Sequence, residues 1–303
     1  MNDLNLLKTI AKICDKKPLS INERKIDDTA KETAKEKGFN VIGNFNFSKG
    51  DIYQKTDVFK YQRWQNVLSS EHNQSNISYF TDNVRMLENC STSFVFPFVD
   101  FGQISWGYPN IDSATLTTKK LSPFRLSVPL DLSISLIRSN DENLQIDFVN
   151  NMMEAIYQKL FQTVFSNSQG VTDIEPQGLL NKVQYSNITN IQTLSNLSAN
   201  VDKFTDSGIY LISPNAKQFV NNLDSSIFAN GMLLNSPYLC SNLVENDYIC
   251  YVDLGKIAVA EFGIFSVTID NYTKMKDGKV RIIVDGYFDF DIADNRFISV
   301  GKV

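Results

Sequence analysis

The chain has 303 residues, 43% of them hydrophobic and 12% aromatic, enough for a packed interior and incompatible with global disorder. The length fits one large or two intertwined domains. A net charge of -5 and a pI of about 5.1 exclude a protein that grips nucleic acid through a basic stripe.

Residues 1–38 differ in pattern from the rest. Leu4, Leu7, Ile10, Ala11 and Cys14 fall at helical spacing and form one apolar stripe, which Pro18 ends. The opening segment MNDLNLLKTIAKICDKK lacks the apolar core and cleavage site of a signal peptide. Ser20 and Glu23 have the spacing of a capping box, predicting a second helix from Ile21 to about Lys37 with Gly38 at its end. That helix is charged and offers only Ile26, Ala30 and Ala34, so it is expected on the solvated surface or as an arm seeking a partner. From Phe39 to Asn89 the pattern is mixed, with helical spacing of Val58, Tyr61, Trp64 and Leu68.

A ribbon is predicted next. Phe94, Phe96 and Phe98 alternate with Ser93, Val95 and Pro97, and Ala114, Leu116 and Thr118 alternate with Thr115, Thr117 and Lys119. Between them lies the turn-rich run Gly107 to Ser113. Two strands alone are marginal in water, so such a ribbon needs something to lean on. Phe124, Leu126, Val128 and Leu130 then alternate as a half-buried strand.

Leu144 to Phe165 is the strongest helix signal. Val149, Met152, Met153, Ile156, Leu160 and Val164 form a stripe that Phe148, Ala155, Phe161 and Phe165 broaden, predicting burial on more than one side. A turn is expected at Pro176 to Asn181, a strand at 208–213 and a helix from Pro214 to Leu223. Strands follow at 244–254, 257–269, 279–284 and 287–292, with Asp277-Gly278 and Asp285-Gly286 as hairpin signals. The fold class is α+β.

Chemistry-bearing motifs are sparse. His72 is the only histidine, and it sits in a polar run, leaving no material for a triad or a histidine metal site. Cys14, Cys90, Cys240 and Cys250 lack zinc-site spacing and are expected as small buried hydrophobes in a reducing compartment; Cys240 and Cys250 can fall on neighbouring strands. Asp285, Asp289, Asp291 and Asp294 cluster, but alternation places Asp289 and Asp291 opposite Phe288, Phe290 and Ile292, on the wet side of an ordinary strand. No catalytic residue, metal or cofactor is assigned. No run approaches the ~18 apolar residues of a membrane span.

The order of these pieces resembles a family. A ribbon containing ISWGYPNIDSATLTTKKLSPFRLSVPL leads to a long helix, then to NSQGVTDIEPQGLLN, GIYLISPNAKQFVNNL, YICYVDLGKIAVAEFGIFSVTID and KVRIIVDGYFDFDIADNRFISV. The array is similar to the major capsid proteins of tailed bacteriophages, the Hong Kong 97-type fold, over roughly residues 84–303. The resemblance implies a spine helix with Val149, Met153, Ile156 and Leu160 in its core, and a projecting ribbon or E-loop. Phe94, Phe96, Phe98, Phe101, Trp106 and Tyr108 would supply the ribbon's intersubunit contact.

It further implies an N-terminal extension and arm at 1–83, the ribbon at 84–122, a peripheral domain at 123–190, an axial domain at 191–269 and peripheral return strands at 270–303. The implied function is a head protein whose hexamers and pentamers build an icosahedral or prolate shell around double-stranded DNA. Its other partners would be portal, decoration or scaffolding proteins, with no membrane and no sequence-specific DNA contact. It would be assembled in the bacterial cytoplasm and reside in the virion. An encapsulin-type compartment is the alternative, and a soluble enzyme or binding module a more distant one. The usual Glu after the ribbon Trp is replaced by Gly107-Tyr108, and no lysine lies between Phe94 and Asp112, so lysine–asparagine cross-linking is not implied.

Overall fold

The computed structural model describes residues 4–49, 51, 76–91, 95–99, 116–138, 142–229 and 231–303. Helix α1 (Leu6–Cys14) is capped by Asn5, whose side chain accepts the Lys8 amide. Helix α2 (Ile21–Glu36) begins with the reciprocal Ser20–Glu23 capping box. α1 sends Leu6, Leu7 and Ile10 into the main core, while α2 buries Ile26, Ala30 and Ala34. α2 is thus a surface helix docked by one narrow stripe, with most of its residues exposed, and not a detached arm. The cause is a set of partners remote in sequence. Thr9 and Lys12 bond to Glu23, Asp27 accepts both amides of Asn46, and the small Ala30 and Ala34 let α2 approach Ile264.

Strand β1 (Phe45–Ser48), helix α3 (Asn76–Asn83) and strands β2 (Arg85–Leu87), β3 (Val95–Val99), β4 (Leu116–Lys120) and β5 (Phe124–Ser133) follow. The helical spacing at 58–68 lies outside the described residues. After the single turn α4 (Ile134–Ile137) comes the long helix α5 (Glu142–Val164), then α6 (Leu179–Lys182), β6 (Ser186–Asn187) and α7 (Ile191–Val201). Next are β7 (Ile209–Ile212) and α8 (Pro214–Leu223), the latter with Pro at its first turn and Ser213 as its cap. The remaining strands are β8 (Phe228–Ala229), β9 (Met232–Leu233), β10 (Ser236–Cys240), β11 (Tyr248–Val252), β12 (Ile257–Asp270), β13 (Lys279–Ile292) and β14 (Ile298–Lys302).

Three sheets form among the described residues. The first runs β1-β12-β13-β5, with β2 parallel to β12; the second runs β6-β14-β11-β7-β10-β9-β8; the third is the ribbon β3-β4 alone. Helix α5 lies against β5 and β13 and buries Val149, Met152, Met153, Ile156, Leu160 and Val164. Its far end stacks Phe161 and Phe165 on Phe80 of α3, at centroid distances of 5.4 and 4.8 Å. A second cluster joins Leu194, Leu197 and Val201 of α7 to Tyr210, Ile212, Ala216, Val220 and Ile249.

Several boundaries move. Asp277-Gly278 does turn the chain, with Gly278 at a φ of 66° between β12 and β13. Asp285-Gly286 does not: β13 runs straight through it. A Cβ at Gly286 would lie 2.5 Å from the Phe288 ring and 2.9 Å from Phe265, so this glycine serves close packing rather than a turn. The strand expected from Val244 starts at Tyr248, because Ser241 accepts the Leu243 amide in a turn and Asp247 takes a left-handed φ of 67°. Strand β7 separates Cys240 from Cys250, so the two are not on neighbouring strands.

The domain boundary drawn at 269/270 falls inside the β12–β13 hairpin, whose strands pair from Ile257–Ile292 to Asp270–Arg281 and belong to one sheet. β14 returns to the second sheet, pairing with β11. Likewise β2 joins β12, so among the described residues the ribbon runs only from Val95 to Lys120.

Candidate assembly interface

In the ribbon, Val95 stands opposite Lys120 and Val99 opposite Leu116, and it pairs with neither larger sheet. Phe96 and Phe98 lie in β3, and Val95 is 44% exposed. Phe94, Phe101, Trp106 and Tyr108 lie outside the described residues. The four helix residues Val149, Met153, Ile156 and Leu160 are all buried in the main core, on the body from which the ribbon rises.

Where the ribbon meets that body, polar anchors replace sheet pairing. Lys119 reaches over β13, its Nζ donating to the Ile292 carbonyl at 2.7 Å and lying 3.3 Å from Asp291 Oδ1. Lys182 of α6 bonds the same Asp291 oxygen at 2.9 Å. One turn of chain later the Ser122 amide donates to Asp289 Oδ2 at 2.7 Å, and Leu121 is buried with Cys90, Ala260, Phe262 and Tyr287.

This corrects the expectation of a wet strand face. Asp289 is 7% exposed, and burial pushes its carboxyl up to about 6 against the opposing pull of the Ser122 and Phe290 amides and the Lys182 charge. Alternation correctly put Asp289 and Asp291 on one face; it carried no information about what lies over them. Further along β13, Asp285 accepts from Ser127 and Ser266 and pairs with Arg125, fixing β5 at the start of the body.

Two further exposed features had only faint sequence signals. The β12–β13 turn presents Tyr272 at 78% and Met275 at 67% exposure, a tip that Asp277-Gly278 marked without showing its apolar load. After α5, the turn closed by the Val171–Glu175 bridge presents Val171 and Ile174.

An open cleft of about 690 Å³ is lined by Asp202, Asp206, Asp253, Tyr79 and Tyr251 among others. Asp253 is engaged by Thr205 and the Gly255 amide. Burial pushes the Cys250 thiol up to about 12, which makes it inert as a nucleophile at neutral pH. Among the described residues no group of three His, Cys, Asp or Glu side chains is arranged to hold a metal ion, and no helix is long and apolar enough to cross a membrane.

No family model matches the sequence, and comparison with characterised proteins finds no relative. Solved structures do match. The capsid of an empty GTA particle superposes with a TM-score of 0.55 at 14% identity, over 75% of this chain and 89% of that one. A chain of Microbacterium phage Oxtober96 gives 0.52 at 10% identity, covering 74% and 90%. A chain of Mycobacterium phage Bobi gives 0.51 at 12%, covering 74% and 89%. The chain thus has the fold of phage capsid proteins. Within that class it is the Hong Kong 97-type fold, with α5 as the spine helix and β3-β4 as the ribbon.

Proposed function

We propose that this chain is a shell subunit, the head protein of a tailed phage, which assembles with itself into hexamers and pentamers of a closed icosahedral or prolate container for double-stranded DNA. The observation that carries the reading is the ribbon: a two-stranded sheet that, among the described residues, pairs with no other strand of its own subunit, on a body with the capsid fold. An isolated pair of strands gains little by itself, so a neighbouring subunit is the surface that completes it. The acidic balance suits a container that encloses DNA without gripping its phosphates. Portal and scaffolding or decoration proteins would be further partners, and the virion its final location.

The test is negative-stain microscopy and sedimentation of the purified chain. Rings or closed shells support the reading, and a stable monomer at high concentration overturns it. Particles isolated from the native source and treated with nuclease then decide the contents. Protected double-stranded DNA supports the phage head; protein cargo without nucleic acid assigns the encapsulin-type alternative.

A further inference from the structure

The hairpin of β12 and β13 carries different chemistry at its two ends. At the turn, Asp270 accepts the Tyr272 and Thr273 amides and Gly278 takes its left-handed φ, so the backbone is fixed while Tyr272 and Met275 stand in solvent. Lys276 is exposed beside them and, among the described residues, is in no ion pair, because the turn's Asp277 is taken by Lys274 at 3.8 Å.

The cleft of about 690 Å³ lies at the other end, where Asp253 and Leu254 lead into β12. Asp202 and Asp206 are exposed on its walls, and among the described residues no lysine or arginine lines it. Tyr79, Pro237 and Leu254 give the same walls apolar surface. β12 is 14 residues long, so at about 3.3 Å per residue roughly 45 Å separates the cleft from the tip. β1 and β13 hold that strand extended, and the two ends cannot meet within one chain.

We infer that the β12–β13 tip of one copy of this chain seats in the cleft of the next, with Tyr272 and Met275 against the apolar walls and Lys276 facing Asp202 and Asp206. Burying the two exposed side chains is favourable, and a turn already fixed by its own hydrogen bonds has little conformational freedom left to lose. Charge selects the occupant. The ribbon stretch from Phe94 to Asp112 contains no lysine or arginine and brings Asp100 and Asp112, which the cleft would repel. Tip and cleft are unlike patches, so the contact runs head to tail and closes into rings where the rotation allows. The inference deepens the shell reading and rests on it for the second copy.

Sedimentation of the full chain tests it. Lys276→Asp and Asp206→Lys are each expected to raise the protein concentration needed for assembly roughly ten-fold, because each sets like charges against one another. Both changes in one chain should bring it back to within roughly three-fold of the parent, since the pair is restored with reversed polarity. Both positions are exposed and lie outside the sheets, and unchanged circular dichroism verifies the body. A second arm needs no shells. Carbodiimide coupling of isotope-labelled and unlabelled parent chains, mixed, should give a mixed-label peptide joining Lys276 to Asp202 or Asp206.

Single variants that assemble like the parent, with no such link, overturn the contact and leave the shell reading standing. Links without rings or shells support the contact and overturn the shell reading. A monomer without links overturns both. An Asp206→Lys defect that Lys276→Asp fails to relieve gives the cleft to another basic partner and overturns the proposal.

Discussion

Ile156 is fully buried on α5, with Met153 and Leu160 beside it and the first sheet across from it. An aspartate there would place an unpaired charge in a sealed apolar layer, a loss of about 4 kcal/mol or more. Ile156→Asp is expected to give insoluble or unfolded protein. Soluble yield and far-UV circular dichroism check it, and a soluble variant that still assembles would place the buried face elsewhere. This residue was legible because 3.6-residue periodicity over six turns reports a buried stripe without needing to know its partner. Asp289 was not. Its face was correctly read from alternation, but its burial and its bond to the Ser122 amide, 167 positions away, are tertiary, and local pattern holds no trace of them.

The two N-terminal helices show the same limit one scale up. Their caps and apolar stripes are local and were plain in the sequence, whereas their docking depends on Asn46, Ile264 and the α5 layer. Leu6, Leu7 and Ile10 contribute about 1.5–3 kcal/mol each by burial, a sum comparable to the whole stability of many domains. Deleting residues 1–38 is therefore expected to abolish cooperative thermal unfolding, the opposite of what a detached arm predicts. A truncated chain that melts like the parent would return these helices to the surface.

The ribbon makes the converse prediction. Phe96, Phe98 and Trp106 would each bury roughly 150–250 Å² if covered by a neighbour, several kcal/mol gross at about 25 cal/mol per Å². Association costs reduce that sum, but a closed lattice repeats the contact at every subunit. Replacing Asp100 to Asp112 with an Asn-Gly turn should leave a folded subunit, because both larger sheets and α5 are complete without it. Sedimentation should find that subunit stalled as a monomer or small ring. Complete shells from this variant would show that assembly rests on other surfaces, the Tyr272–Met275 tip among them.

At the scale of the whole molecule, both sheets are closed by segments from far along the chain. β1 pairs with β12, β5 with β13, and β14 enters the second sheet between β6 and β11. The family resemblance conveyed this architecture in outline, but sheet order is a property of distant pairings, and the boundary at 269/270 failed for that reason. The arrangement also sets a timetable. With β1, β5 and β6 each waiting for a partner more than a hundred residues downstream, a growing chain holds these edges open until β12, β13 and β14 have emerged, and folding dominated by such distant pairings is slow. Pulsed exchange during refolding should find α5 protected early and the β11–β14 pair late. Early protection of β11–β14 would show instead that the second sheet forms independently. Because the body that carries the ribbon is finished only once β13 and β14 have found their partners, the concentration of subunits competent for assembly is set by folding and not by synthesis.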